Sequence, residues 1–239
     1  MTPRPKPPVS RRERPAKAAL SREGIVAAAV AVLRAEGLEK VTMRRLAQEL
    51  DTGPASLYVY VANTAELHAA VLDELLGEVD LDTGGDGGGD GDGDGDWRDQ
   101  LEGVLSSYKL ILFAHPALAR MAVSARPRGE HYLRLVERLI ALQVEGGVPP
   151  ERAAWGVDVL LLVATAVAAE KSTQWQSGDA ESEWDALTRA VRELPASTHP
   201  YLHALGASVL GGSGTQRSSW GLRVVINGIT NTPVPGDED

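Results

Sequence analysis

The pair Arg44 and Arg45 opens a short helical pattern, and hydroxyl-bearing side chains flank it at Thr42, Ser56, Tyr58, Tyr60 and Thr64. A guanidinium offers five N–H donors in a fixed fork and takes the O6 and N7 of guanine in bidentate fashion, for about 1–3 kcal/mol of discrimination. Hydroxyls donate to phosphate oxygens, which positions a protein on a duplex without specifying its sequence. Pro54, Ala55 and Val59 offer only apolar contact, of the kind a thymine methyl makes. Two cations in the first turn of a helix oppose its macrodipole and cost stability, unless a phosphate or a guanine faces that turn. A local fault of this sort is expected at a functional site.

No residues are grouped for catalysis. The histidines, at 68, 115, 131, 199 and 203, are scattered. His199 and His203 have the spacing of one helical face, but Pro200 lies between them and no third ligand is near, which argues against zinc. There is no Cys, hence no disulfide and no thiolate site, and a cytoplasmic setting is expected. The sequence therefore predicts no catalytic residue, no metal, no cofactor and no enzyme.

The elements that would hold these groups can be read locally. Leu46, Ala47 and Leu50 form an apolar stripe at helical spacing. Asp51-Thr52-Gly53 then breaks the helix, and Pro54 suits the first position of a new one, running to about Tyr60 with Leu57 inward. Two helices across a tight turn, the second short and tipped with polar and aromatic groups, is the plan of a helix-turn-helix. An ordinary pair of packed helices satisfies the same pattern. Tyr58 has two compatible roles, packing against the preceding helix and presenting its hydroxyl outside. Ser21 caps an earlier helix with the stripe Ile25, Ala28, Ala29, Val32 and Leu33, stopped at Gly37. Asn63 with Glu66 opens a fourth helix to about Val79.

Across all 239 residues the net charge is −9, which by itself speaks against a nucleic-acid binder. Its distribution reverses that reading at one end. Residues 1–64 hold 11 Lys and Arg against 6 Asp and Glu, while the rest holds 13 against 27. Only the N-terminal part is suited to a polyanion. Residues 1–19 form a Pro/Arg tail without periodicity, a disordered arm that either touches phosphates or merely solubilises, and without the apolar stretch of a signal peptide. Residues 83–96, mostly alternating Gly and Asp, read as a flexible acidic loop. A calcium-binding roll would need an apolar position per turn, and none is present. Helical patterns follow over 97–114, 116–124, 130–144, 150–176, 182–194, 201–210 and 216–229, with no strand period, so the class is all-α. Ala153 to Ala169 is the most apolar run, but Asp158 interrupts it and no membrane span is expected.

With these residues in place, 21–75 resembles the DNA-binding domain of the TetR family of bacterial repressors. The shared features are Thr42, Arg44, Leu46 and Ala47 as T-x-R-x-L-A, then Leu57, Tyr58, Tyr60 and Val61 before the cap Asn63. Trp97, Tyr108, Arg126-Pro127 and Trp220-Gly221-Leu222 are similar to the tetracycline-repressor branch. The family usually has Gly where Asp51 stands and often Lys where Thr64 stands. The tetracycline repressor presents Gln and Trp at the positions of Pro54 and Val59, so a different operator is implied.

The resemblance implies a basic tail (1–19), a DNA-binding domain (20–66) and an effector-binding, dimerising body (67–239). It implies a homodimeric repressor on a palindromic double-stranded operator, released by a small lipophilic effector. Thr42, Arg44, Arg45, Pro54, Ala55, Ser56, Tyr58, Val59, Tyr60 and Thr64 would meet DNA. Helices 150–176 and 216–229 carry a surplus of Leu, Val, Ala and Trp that suits a dimer interface, with burial in the chain's own core as the plain alternative. The pocket candidates are Tyr108, Phe113, His115, Met121, Tyr132, Trp155, Asp158, Leu162 and Trp175, each of which, taken singly, also suits plain core packing. Residues that bind tetracycline and its magnesium in the relative fall on Val104, Ala122 and Arg138 here, so that drug is not the expected effector. The alternative function is a helix-turn-helix protein that acts through protein partners and binds DNA weakly.

Overall fold

The computed structural model describes residues 19–82, 96–123, 127–177 and 180–236. The basic tail and most of the Gly/Asp stretch lie outside the described residues. Every regular element among those described is helical, in the order α1 (Arg22–Glu36), α2 (Met43–Glu49), α3 (Pro54–Leu57), α4 (Thr64–Leu76), α5 (Trp97–Ala114), α6 (Pro116–Ala122), α7 (Glu130–Glu145), α8 (Pro150–Ser177), α9 (Ala180–Glu193), α10 (Pro200–Leu210) and α11 (Gly214–Asn231). The fold is all-α, as the periodicity predicts.

The caps explain where the helices begin. The Ser21 hydroxyl accepts from the Gly24 N–H (3.0 Å), Thr42 Oγ1 from Arg45 N–H (3.2 Å) and Asn63 Oδ1 from Glu66 N–H (2.9 Å). Glu66 closes its own box on the Ala62 N–H, at 2.8 Å. α11 starts earlier than its apolar stripe suggests, because Ser213 and Gln216 form a full capping box at its head. α3 is shorter than expected. Val61 has to turn back into the core directly behind it, so the chain leaves the helix after Leu57 and passes through a turn at Tyr58–Tyr60. α4 likewise stops at Leu76, and Val79 reaches the core from a turn beyond Gly77. Leu38–Lys40, expected as a plain link, forms a 3-10 turn.

α1 packs on α4, and α2 on α1 and α3; Ile25, Leu46, Leu57 and Leu67 are fully buried between them. α4 also contacts α5 and α7, so it belongs to both halves of the molecule. In the larger half α8 is central, packed against α5, α6, α7 and α11. By length and composition α8 is apolar enough over Pro150–Gln174 to cross a membrane, despite Asp158. In the fold half of its most apolar window is buried inside the bundle. α8 and α11 approach closely at Gly156, where a Cβ would stand 2.6 Å from Ile229. Only glycine fits that crossing.

Candidate nucleic-acid interface and its coupling to the helical body

The turn between α2 and α3 is closed by backbone alone. Thr52 N–H donates to the Ala47 carbonyl (2.8 Å) and Asp51 N–H to that of Gln48 (3.2 Å), the paired bonds of a Schellman ending. Such an ending needs a left-handed residue, and Asp51 supplies it with φ 47°, the only positive φ outside glycine among the described residues. The Asp-for-Gly exchange is thus accommodated without loss of the turn.

α3 is anchored by Leu57 and turns everything else outward. Pro54, Ala55 and Ser56 are exposed, Tyr58 is 52% exposed and Val59 80%. An exposure that high for a β-branched residue finds no reason inside the fold. Tyr60 is half-buried against the core, while Thr64 and Thr42 are exposed at the starts of α4 and α2. Tyr58 is thus half covered with the rest of its ring outside, while Tyr60 packs against the core.

The two arginines part company. Arg44 is exposed and makes no ion pair among the described residues. Arg45 is held by Glu36 at the end of α1, through Nη2 (2.6 Å) and Nε (3.1 Å), and by Glu49 through Nη1 (2.7 Å). The hydrogen bonds to Glu36 and then Glu49 raise the Arg45 pKa further, and the same contact lowers that of Glu36. The expected macrodipole fault is thus answered within the chain for Arg45 and remains open for Arg44. Sequence alone hid this, because Glu36 lies one helix away.

The body contains a small cavity of about 60 Å³ between α5, α6, α7 and α8. Tyr108, Tyr132, Asp158 and Leu162 line it together with Ala122 and Thr165. The Tyr108 hydroxyl is 2.6 Å from Thr165 Oγ1, and burial pushes its pKa up to about 12, so it stays a neutral hydrogen-bonding group. The other sequence candidates lie elsewhere. Phe113 and Met121 pack half-buried against the core. His115 precedes α6 near the Arg34–Glu78 ion pair; burial, then Arg34, lowers its pKa, against Glu78. Trp155 is 60% exposed on the outer face of α8, and the Trp175 side chain lies outside the described residues.

A joint at Asp73, a contact that sequence reasoning did not find, connects this cavity to α4. α7 starts at Gly129 without a capping side chain of its own. Asp73 of α4 takes that role, its Oδ1 accepting the Tyr132 N–H at 2.9 Å. A Cβ on Gly129 would stand 1.9 Å from Asp73 Oδ2, and one on Gly77 would stand 2.8 Å from the His131 ring. The residue whose ring lines the cavity is thus bonded through its backbone to the helix that carries the DNA-binding half. The pair of glycines beside it is the only local trace of so close an approach.

Comparison with known proteins bears on both halves. Residues 25–71 match the family described as "Bacterial regulatory proteins, tetR family", and residues 91–232 match "Tetracyclin repressor-like, C-terminal domain". The chain belongs to the TetR family. It is a DNA-binding, helix-turn-helix regulator of transcription rather than an enzyme. It is 30% identical over 229 residues to the HTH-type transcriptional repressor DrrR1 of Streptomyces coeruleorubidus, covering 88% of this chain and 80% of that one. Among solved structures it is similar to the Streptomyces protein SCO7704, with 58% identity, a TM-score of 0.73, and 92% and 99% of the two chains covered. ActR of Streptomyces coelicolor, solved with actinorhodin, shows 35% identity, a TM-score of 0.74, and coverage of 89% and 96%. Of the positions that match tetracycline contacts within the family, Val104 is buried and Ala122 lines the small cavity. Arg138 donates to the Leu81 carbonyl (3.0 Å) and to Gln100 (3.3 Å).

Proposed function

We propose that this TetR-family protein is a repressor that binds a palindromic operator as a homodimer, α3 of each subunit entering successive major grooves, and is released by a small lipophilic effector. The observation that carries the proposal is the outward face of α3, Ser56, Tyr58 and Val59 about one buried anchor, beside the unpaired Arg44. Arg44 reads a guanine; Thr42, Ser56, Tyr58 and Thr64 meet phosphates; Pro54, Ala55 and Val59 meet thymine methyls. Arg45 braces α2 against α1, and Tyr60 sets the backbone of the turn. Residues 20–66 are the DNA-binding unit and 67–239 the effector-binding and dimerising unit, working in the cytoplasm where the DNA is. The effector enters between α5, α6, α7 and α8. At about 60 Å³ the cavity is well below the ~300–1,000 Å³ of small-molecule sites, so entry requires it to open. Opening displaces Tyr132 and, through Asp73, α4. That ActR is solved with actinorhodin, and that DrrR1 is a repressor, supports an effector-released regulator.

Selecting DNA from a random pool with the purified full chain tests the operator reading. A palindromic consensus is expected. Its affinity should fall steeply with salt, log–log slope about −0.9 per neutralised phosphate. No enriched sequence together with a flat salt dependence overturns it and leaves the protein-partner alternative. Adding lipophilic compounds to the preformed complex then identifies those that release it.

A further inference from the structure

We propose that the open cavity between α8, α9 and the start of α11 binds an amphipathic organic anion, an apolar aromatic body bearing one carboxylate or sulfonate, whose charge is met by Lys171 and Arg217. The cavity measures about 740 Å³, within the range of small-molecule sites and far larger than the one beside Tyr108. Val167, Trp184 and Leu187 give it an apolar wall, and the last two remain half exposed, a surface the chain itself leaves uncovered.

Among the described residues the hydrogen bonds of the cations around it go to neutral partners. Lys171 Nζ donates to the Gly214 carbonyl at 3.1 Å. Arg217 Nε donates to the Gly211 carbonyl at 2.9 Å, and its Nη2 reaches the carbonyls of Val209 and Ser208. A smaller cavity of about 80 Å³ shares Val167, Arg217 and Ser218 with the first and is lined by Lys109 as well, whose Nζ donates to Ser218 Oγ at 3.1 Å. Burial, with Lys171 nearby, lowers the Lys109 pKa, while Glu102 opposes the shift. Glu102 is itself turned to Arg223, at 3.5 Å. Glu170 and Glu183 also line the larger cavity, but both are exposed and neither pairs with these cations among the described residues. Three basic groups bonded only to carbonyl and hydroxyl oxygens, in a chain of net charge −9, stand where charge-assisted bonds to an anion would be about twice as strong as those they now make. The positive end of the α11 macrodipole faces the same space and adds to that sign.

The test uses the full chain without DNA and two probes with the same rings, 8-anilinonaphthalene-1-sulfonate and the neutral N-phenyl-1-naphthylamine. The sulfonate should bind with energy transfer from Trp184, reduced in Trp184→Phe. In Lys171→Met/Arg217→Met its Kd should rise about tenfold or more while that of the neutral probe stays put. Lys171→Arg should restore sulfonate binding to the Lys171→Met single variant. Unchanged sulfonate affinity in the double variant overturns the proposal. So does equal weakening of both probes with an intact circular dichroism spectrum, or transfer that ignores Trp184→Phe. If the double variant unfolds, Lys171→Gln alone carries the same comparison. Because no operator is involved, this site and the operator reading fail or stand separately.

Discussion

Arg44 and Arg45 are neighbours in sequence with opposite surroundings, and that contrast gives a test at the level of single side chains. Removing Arg44 takes away nothing that the described fold uses. Arg44→Ala should cost about 1–3 kcal/mol of operator binding and relax the preference for one base, with an unchanged melting temperature. Tyr58→Ala should weaken binding to all operator variants alike, as loss of a phosphate contact does. Arg45→Ala should do the reverse. It frees Glu36 and Glu49 and loosens α1 from α2, lowering the melting temperature by a few degrees and leaving base preference intact. Gel-shift titrations beside thermal melts separate the three. An Arg45→Ala that keeps its melting temperature while changing base preference would return Arg45 to the reading surface. The linkage sign for Glu36 is that of a carboxylate with a lowered pKa. Its contribution is present above the usual carboxylate range and is lost as the pH falls through the lowered value.

α4 is the element on which the two halves meet. It contacts α1 on one side and holds the start of α7 on the other through Asp73. Since α7 has no cap of its own, Asp73→Ala leaves the Tyr132 N–H unsatisfied and should cost about 0.5–2 kcal/mol of stability. Its more specific effect should be on coupling. With a ligand that releases the wild type, Asp73→Ala should bind that ligand as tightly but release operator less, shrinking a coupling of about 1–3 kcal/mol. Asp73→Asn keeps an acceptor oxygen and should restore release. Parallel titrations of ligand with and without operator read this directly, and full coupling in Asp73→Ala would remove the joint from the pathway. This element also shows what a sequence can and cannot reveal. Its start was legible because Asn63 and Glu66 are a local signal, and its buried stripe because helical periodicity is local. The Asp73–Tyr132 bond joins positions far apart in the chain, and nothing near either one announces it. The same holds for Arg45, whose partner Glu36 sits on another helix, and for the small volume around Tyr108, which depends on how four helices close. α3 and the Asp51 turn were readable for the opposite reason, since Pro54 and a left-handed Asp are local chemistry.

At the scale of the whole molecule, the apolar surplus of α8 is the feature with the widest consequence. The helix packs against α5, α6, α7 and α11, yet Trp155, Val159 and Leu162 remain exposed along one edge. Their spacing, four and then three residues, keeps them on a single stripe. α11 lies against α8 and adds Trp220, 71% exposed, and Val224 four residues on. Two such stripes on packed helices leave exposed apolar surface of the kind that marks a protein–protein contact. The placement of Trp155 follows from the same geometry: it stands on this face and away from the Tyr108 cavity. If the face pairs two copies in a four-helix arrangement, a charge at its centre is buried without a partner and association fails. Trp220→Glu with Val159→Glu should therefore shift the particle mass in light scattering from about twice 25.4 kDa to 25.4 kDa. Both side chains are exposed on the subunit and neither lines the Tyr108 cavity, so helix content should persist. Operator affinity should then collapse, because each α3 must find its half-site alone and loses the effective concentration that linkage provides. A variant that stays dimeric would move the interface off α8 and α11. A monomer that kept full affinity for the palindrome would show that the two half-sites are not read together.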